Sequence, residues 1–268
     1  MNKKMTFILA TILLVLMILI TNPRQNIKVE KYVDLDDYIV RLIVGDDLTD
    51  LEYQTIAKQT GLSKSSVLTL KQKHKLYMLS DYQRDYLYNR NYKRHYYAFL
   101  TCEELLNDVH LPFVDLRTGD ILITSSSITS FFRHGHAGIV IDGSTGETVE
   151  AYSPLEKSCI STVDTWLSYN TIMLLRVKEG YEEIAKTAAE YARNNLVNVR
   201  YSLFSSTKDS VTNVKRTHCA QLVYLAYKYA GIQIDQNKNS VVTAKEISQS
   251  EYFEIIEVKG FDLKKGWD

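Results

Sequence analysis

Three side chains far apart in this 268-residue sequence have the chemistry to break an acyl bond together: Cys219, His136 and Glu150. Cys219 lies in Thr217-His-Cys-Ala-Gln-Leu-Val-Tyr-Leu-Ala-Tyr-Lys-Tyr-Ala-Gly231, where Cys219, Leu222, Val223, Ala226 and Ala230 recur at helical spacing. The cysteine therefore belongs to the stripe facing the protein body. It also falls in the first turn, where unpaired amides and the helix dipole favour thiolate over thiol. Imidazole is the usual base for such a nucleophile, and His136 opens the apolar run His136-Ala-Gly-Ile-Val-Ile-Asp142. Glu150 follows an even number of residues later, which lets the two stand directly opposite on antiparallel strands and share a face. A carboxylate there would fix the ring tautomer and stabilise an imidazolium. Two competitors remain: His134, in the preceding loop, and Glu147, beside the turn and expected to be solvated. Asp120 is expected to make a turn contact at a strand start.

These residues need a scaffold, and the second half of the chain supplies one. Residues 119–124, 136–142, 147–152, 171–177 and 253–258 read as short strands. Asp142-Gly-Ser-Thr-Gly146 is a turn joining the second and third into a hairpin. Helices are predicted from near Tyr181 to Asn195, with Ile184, Ala188 and Ala192 on one face, and from near Cys219 to a stop at Gly231. The class is α+β.

Upstream, residues 34–99 read mostly as helix. Thr49-Asp-Leu-Glu52 is a capping box. Tyr53 to Val67 has the cadence of a helix-turn-helix, with Gly61 turning and Ser63 capping the second helix. Thirty-two basic residues balance 32 acidic ones, so no general field favours nucleic acid, and a plain helical hairpin is expected. Tyr77, Tyr82, Tyr86, Tyr88, Tyr92, Tyr96 and Tyr97 interleave with Arg84, Arg90, Lys93 and Arg94. We read this stretch as an amphipathic helix, with stacking on glycan or a membrane interface as the alternative. His74, His95 and His110 lack metal-ligand spacing and read as surface or packing residues; no metal or cofactor is predicted.

Lys3 and Lys4 precede an uninterrupted apolar run from Met5 to Thr21. As a helix it spans roughly 25 Å, the lower limit for crossing a bilayer. It reads as an uncleaved signal anchor with the lysines cytoplasmic; a cleaved signal peptide is the alternative, and either exports the rest. The expected organisation is an anchor over 1–25, a helical region over 26–112 and a hydrolase domain over 113–268.

Four stretches carry a resemblance: Gly119-Asp-Ile-Leu-Ile123, His136-Ala-Gly-Ile-Val140, Val149-Glu-Ala151 and His218-Cys-Ala-Gln-Leu-Val-Tyr-Leu-Ala-Tyr227. A fifth, Val199-Arg-Tyr-Ser-Leu-Phe204, is similar to a tyrosine-containing segment upstream of the nucleophile, and Thr243-Ala-Lys-Glu246 falls where a helix start is expected. In this order they resemble the circularly permuted branch of the NlpC-type papain-like cysteine peptidases and amidases, nearest the YiiX- and YaeF-like permuted amidases. The resemblance implies a permuted papain-like fold with the nucleophile helix packed on an antiparallel sheet. It implies Cys219 as nucleophile, His136 as general base and Glu150 as the group orienting it. The Cys219 amide and the Tyr201 hydroxyl would hold the oxyanion. Ala220 stands where relatives often carry serine, and His218 where tyrosine or aspartate is common, so His218 is expected to perturb the thiol. Cys102 and Cys159 match nothing catalytic, which leaves a disulfide between them open. The substrates implied are peptide amide bonds of the cell envelope. Lipid acyl groups, through a hydrolase or acyltransferase, are the alternative, and a non-catalytic envelope-binding module is the third reading.

Overall fold

The computed structural model describes residues 48–87, 91–97, 100–106, 108–129, 132–235, 239–261 and 267. The apolar run Met5–Thr21, and the anchor read from it, lie outside these residues. Among the described residues no helix is long and apolar enough to cross a membrane.

Helices α1 (Asp50–Thr60) and α2 (Lys64–Gln72) form the expected hairpin. The Thr49 hydroxyl accepts from the Glu52 amide while the Glu52 carboxylate takes the Thr49 N–H, so the capping box is complete. Gly61 turns the chain at φ 69°, a left-handed conformation that costs a side-chain-bearing residue energy. Ser63 caps α2 by accepting from the Ser66 amide. A 3₁₀ turn (Leu76–Met78) leads into α3 (Leu79–Leu87).

The tyrosine-rich stretch departs from expectation after α3. Residues Tyr92–Tyr97 form β1, paired antiparallel with β2 (Leu100–Leu105). Aromatic residues pack well on a pleated surface. Cross-strand partners Arg94 and Glu103 form an ion pair at 3.1 Å, so the interleaved charges serve a ladder rather than a helix face.

The remaining elements, in chain order, are β3 (Ile121–Thr124), β4 (Ser127–Thr129), β5 (Phe132–Arg133), β6 (His136–Asp142), β7 (Glu147–Glu150), β8 (Cys159–Thr162), α4 (Val163–Trp166), β9 (Ile172–Val177), α5 (Glu182–Asn195), β10 (Arg200–Tyr201), β11 (Arg216–Thr217), α6 (Cys219–Tyr229), α7 (Ala244–Ser248) and β12 (Phe253–Lys259). The main sheet runs β12-β9-β3-β6-β7-β8, antiparallel throughout. A smaller sheet, β1-β2-β4-β5, draws strands from both sides of the expected boundary at residue 112, so the upstream region is not a separate body.

Strand alternation explains how the layers divide. Ala137, Ile139 and Ile141 of β6 join the core made with α5 and α6. Val140 points the other way, into a cluster with Leu122, Trp166, Tyr169 and Leu174. Each fully buried isoleucine or leucine here contributes about 2 kcal/mol by leaving water. Residues 219–227 of α6 are all buried, not only the predicted stripe, because α5, the sheet and α7 surround the helix.

The α1–α2 hairpin covers the outer edge of β12. The Ser63 amide donates to the Ile256 carbonyl and the Val258 amide to the Gly61 carbonyl, both at 2.9 Å. An exposed edge strand invites unwanted pairing, and this contact removes the opportunity.

Candidate active site

Each residue of the expected trio stands at an end of its element, and this lets them meet although they lie on different layers. His136 is the first residue of β6 and Cys219 the first of α6. Along β6 the helix-facing residues are Ala137 and Ile139, so His136 shares the opposite face with Trp166. The thiol at the helix tip reaches the imidazole around the end of the strand. Their direct interaction registers on both groups, as hydrogen bonding and as charge.

The hairpin does not place Glu150 directly opposite His136. Glu150 pairs with Gly138 and Thr148 with Val140, whereas Asp142 pairs with Glu147. One extra residue, Ile141, is bulged into β6 between these registers. Without it the pairing from the turn would continue with Ile139 opposite Glu150, and His136 and Glu150 would face opposite sides. The bulge restores the shared face, and the glutamate reaches diagonally. His136 Nε2 donates to Glu150 Oε2 at 2.9 Å, which leaves Nδ1 for the sulfur.

The other oxygen of Glu150 accepts from Trp166 Nε1 at 2.9 Å and from Thr148 Oγ1 at 2.6 Å. Fully buried, this carboxylate has no rotational choice left. Gly138 makes the geometry feasible: a Cβ there would lie 2.9 Å from both Glu150 Cγ and Trp166 Cζ2. The imidazole is flanked by Tyr152 and Trp166, near-parallel at 5.2 and 5.1 Å between centroids. Aromatic faces of this kind favour a cationic ring.

Electrostatics follow from this packing. Burial disfavours a charged His136, but its hydrogen bonds to Cys219 and Glu150, with their charges, outweigh it and raise the ring to about 9. Burial likewise pushes the Cys219 thiol up, yet hydrogen bonding and charge from His136 and His218 hold it well below the ordinary value. The arrangement favours a thiolate–imidazolium pair.

His218 caps α6: its Nδ1 accepts from the Gln221 amide at 3.3 Å. The expected perturbation of the thiol thus comes from a residue that also ends the helix. Tyr201 lies on β10, whose parallel partner β11 leads directly into His218 and Cys219. Burial, then the charge on Cys219, keeps its phenol protonated and available as a donor. The Cys219 amide, in the first turn, has no acceptor within its own helix.

The competitors have other hydrogen-bond or ion-pair partners, although His134 lies near enough to feel the Cys219 charge. His134 is bonded through Nδ1 to the Gly135 carbonyl at 2.6 Å and through Nε2 to Thr129 Oγ1 at 2.9 Å. Glu147 pairs with Arg193 at 2.7 Å, partly exposed. Asp120 makes the expected turn contact with the Arg117 amide and also takes Arg176 through both oxygens. All three cysteines are free thiols, so no disulfide joins Cys102 and Cys159. Among the described residues no three His, Cys, Asp or Glu side chains are grouped to hold a metal ion.

Sequence reasoning did not reach Thr148, Tyr152, Trp166 or the capping role of His218. Thr148 and Tyr152 had a signal, since each lies two residues from Glu150 on a run read as strand. Trp166, on the short α4, had none.

A buried thiol at a helix tip, paired with a histidine at a strand start on an antiparallel sheet, is the arrangement of papain-like cysteine hydrolases; with the histidine preceding the cysteine, the order is permuted. The chain belongs to the family of permuted papain-like amidase enzymes of the YaeF/YiiX type, whose description matches residues 115–252. No curated protein and no solved structure matches the chain.

Proposed function

We propose that this protein is an exported, membrane-anchored thiol amidase that cleaves peptide amide bonds of the cell envelope. The observation that carries the reading is the placement of Cys219 at the tip of α6 facing His136 at the start of β6, whose ring Glu150 orients at 2.9 Å, an arrangement that holds the thiol low. Thiolate sulfur attacks the amide carbonyl, and the oxyanion is held by the Cys219 amide and the Tyr201 hydroxyl. The imidazolium gives its proton to the leaving amine, the C–N bond breaks and a thioester remains on Cys219. Water then attacks the thioester, passing a proton to His136, and the acid departs with the thiol restored. Glu150 keeps Nε2 protonated throughout, so that Nδ1 does the proton transfer. The apolar run Met5–Thr21 supports the membrane location.

A second reading keeps the thiol but gives it a lipid acyl group. It is favoured by Leu203 and Phe204, 57% and 87% exposed, two and three residues after Tyr201. Digestion of purified peptidoglycan and of phospholipid vesicles, with wild type and Cys219→Ala side by side, tests both. New peptide fragments from wild type alone support the amidase; released fatty acid from wild type alone supports the lipid reading. Identical product spectra from the two proteins would overturn both.

A further inference from the structure

Beside the β10–β11 ribbon lies a cleft whose lining includes none of the residues placed in the thiol chemistry. Its volume is about 410 Å³, and its lining includes Lys157, Arg200, Lys215, Asn195 and Asn198. That is within the range of small-ligand clefts, about 300–1,000 Å³.

The backbone stacks the cations side by side. Lys157 bridges Arg200 antiparallel, and Arg200 pairs with Arg216 in parallel register. Three positive side chains are therefore cross-strand neighbours in one row, an arrangement that is destabilising by itself. Lys157, Arg200, Lys215 and Arg216 are all exposed. Among the described residues none of the four has an ion-pair partner. Asp209 feels the charge of Arg216 but is itself spent on the Ser206 amide and Gln221. In a chain whose charges balance overall, this local excess calls for an anion.

The cleft is also rigid. Ser158, almost fully buried, donates through Oγ to the Leu196 carbonyl at 2.6 Å and accepts from the Val199 amide at 2.8 Å. Its own amide donates to the Val199 carbonyl at 2.9 Å, and its carbonyl accepts from the Asn198 amide at 2.7 Å. These four bonds clamp the segment that presents Asn198 and Arg200. The backbone of the cleft is thus preformed, and binding has only the exposed side chains to order.

We infer that this cleft is a phosphate-binding site, formed by Lys157, Arg200 and Lys215 with the side-chain amides of Asn195 and Asn198, and rimmed by Arg216. Several adjacent cations fit the multiple charge of a phosphate ester better than the single charge of a carboxylate. The site lies on the strand pair that carries Tyr201 and leads into Cys219, so a phosphate held there would anchor one part of a substrate beside the thiol. Binding stands apart from the thiol chemistry; its use as a substrate anchor rests on the hydrolase reading above.

The test uses the full chain carrying Cys219→Ala, so that binding is measured without turnover. Pyrophosphate and acetate are titrated by calorimetry, and vesicles of phosphatidylcholine with and without phosphatidic acid are tested by co-sedimentation. We expect pyrophosphate to bind in preference to acetate, with Arg200→Glu and Lys215→Glu each weakening it about tenfold or more and Lys186→Glu, on the exposed face of α5, leaving it unchanged. Binding of free pyrophosphate identifies a soluble phosphate ligand; no pyrophosphate binding, with vesicle binding that rises with phosphatidic acid and falls back to the phosphatidylcholine level with Arg200→Glu, identifies a headgroup. Either supports the site. Equal affinity for acetate, or binding indifferent to Arg200→Glu and Lys215→Glu, would overturn it. Alkylation of Cys219 in the wild-type background reports separately on the thiol, so failure of the hydrolase reading and failure of the phosphate site give different results.

Discussion

Among the described residues two buried histidine–carboxylate pairs stand out, His136–Glu150 at the sheet end and His110–Asp85 beneath the helical hairpin. Their contacts are nearly equal, 2.9 Å and 3.0 Å, and all four side chains are almost fully enclosed. What differs is the ligand of the second ring nitrogen. In His136 it is left to the Cys219 sulfur. In His110 it faces the Asn170 carbonyl at 3.4 Å. Asp85 is further held by the Leu111 amide at 3.0 Å and by Lys259 at 3.7 Å. Lys259 in turn reaches Glu257 at 3.0 Å and lies over the rings of Tyr82 and Phe113. The second pair is thus a staple joining α3, the following loop and β12. A histidine beside a carboxylate is not a site; a reactive atom on the free nitrogen makes one.

The contrast can be broken by substitution. Cys219→Ala should remove the reactive end of the first pair, with turnover falling about ten-thousand-fold or more while circular dichroism stays native. Product release from whichever substrate is cleaved measures it. His136→Ala removes the larger of the two groups that hold the thiol down, leaving only His218 against burial, so its pKa rises. Alkylation by iodoacetamide at pH 6.5 should then drop about a hundredfold, since each unit of thiol pKa is worth tenfold in thiolate. Gly138→Ala is a subtler break. The new Cβ must displace Glu150 or Trp166, and we expect a loss of about ten- to a hundredfold in turnover from misorientation, with the melting temperature little changed. His110→Ala sharpens the comparison from the other side. It should cost about 3 kcal/mol in urea unfolding by breaking the buried His110–Asp85 pair, yet change Cys219 alkylation per folded molecule less than twofold.

Much of this was legible in the sequence, for identifiable reasons. The strand at His136–Asp142 was found to the residue and the α6 start was placed near Cys219, because each begins where polar loop gives way to a sustained apolar run. The Thr49 and Thr243 capping boxes are local interactions, written within four residues of chain. The bulge at Ile141 was not legible. Five apolar or small residues precede Asp142, and a run apolar on both faces carries no period-two signal to show a skipped partner. The even spacing of His136 and Glu150 pointed to a shared face, and the shared face is real, but the register reaches it diagonally. The tyrosine strand β1 was read as helix because its partner β2 and the counter-charge Glu103 are tertiary facts. Buried Lys259 and Glu257, on an edge strand covered by the hairpin, were invisible for the same reason.

The pH profile of iodoacetamide alkylation at Cys219, from pH 4 to 10, tests the central claim most directly. The thiol is depressed, so its thiolate appears well below pH 8; the imidazole is raised, so the pair persists until the ring loses its proton near pH 9. The account predicts a plateau of rapid labelling between these two limits, a second rise above about pH 9, and loss of the plateau in His136→Ala. A single rise with an ordinary thiol midpoint of about 8.5, unchanged by His136→Ala, would contradict it.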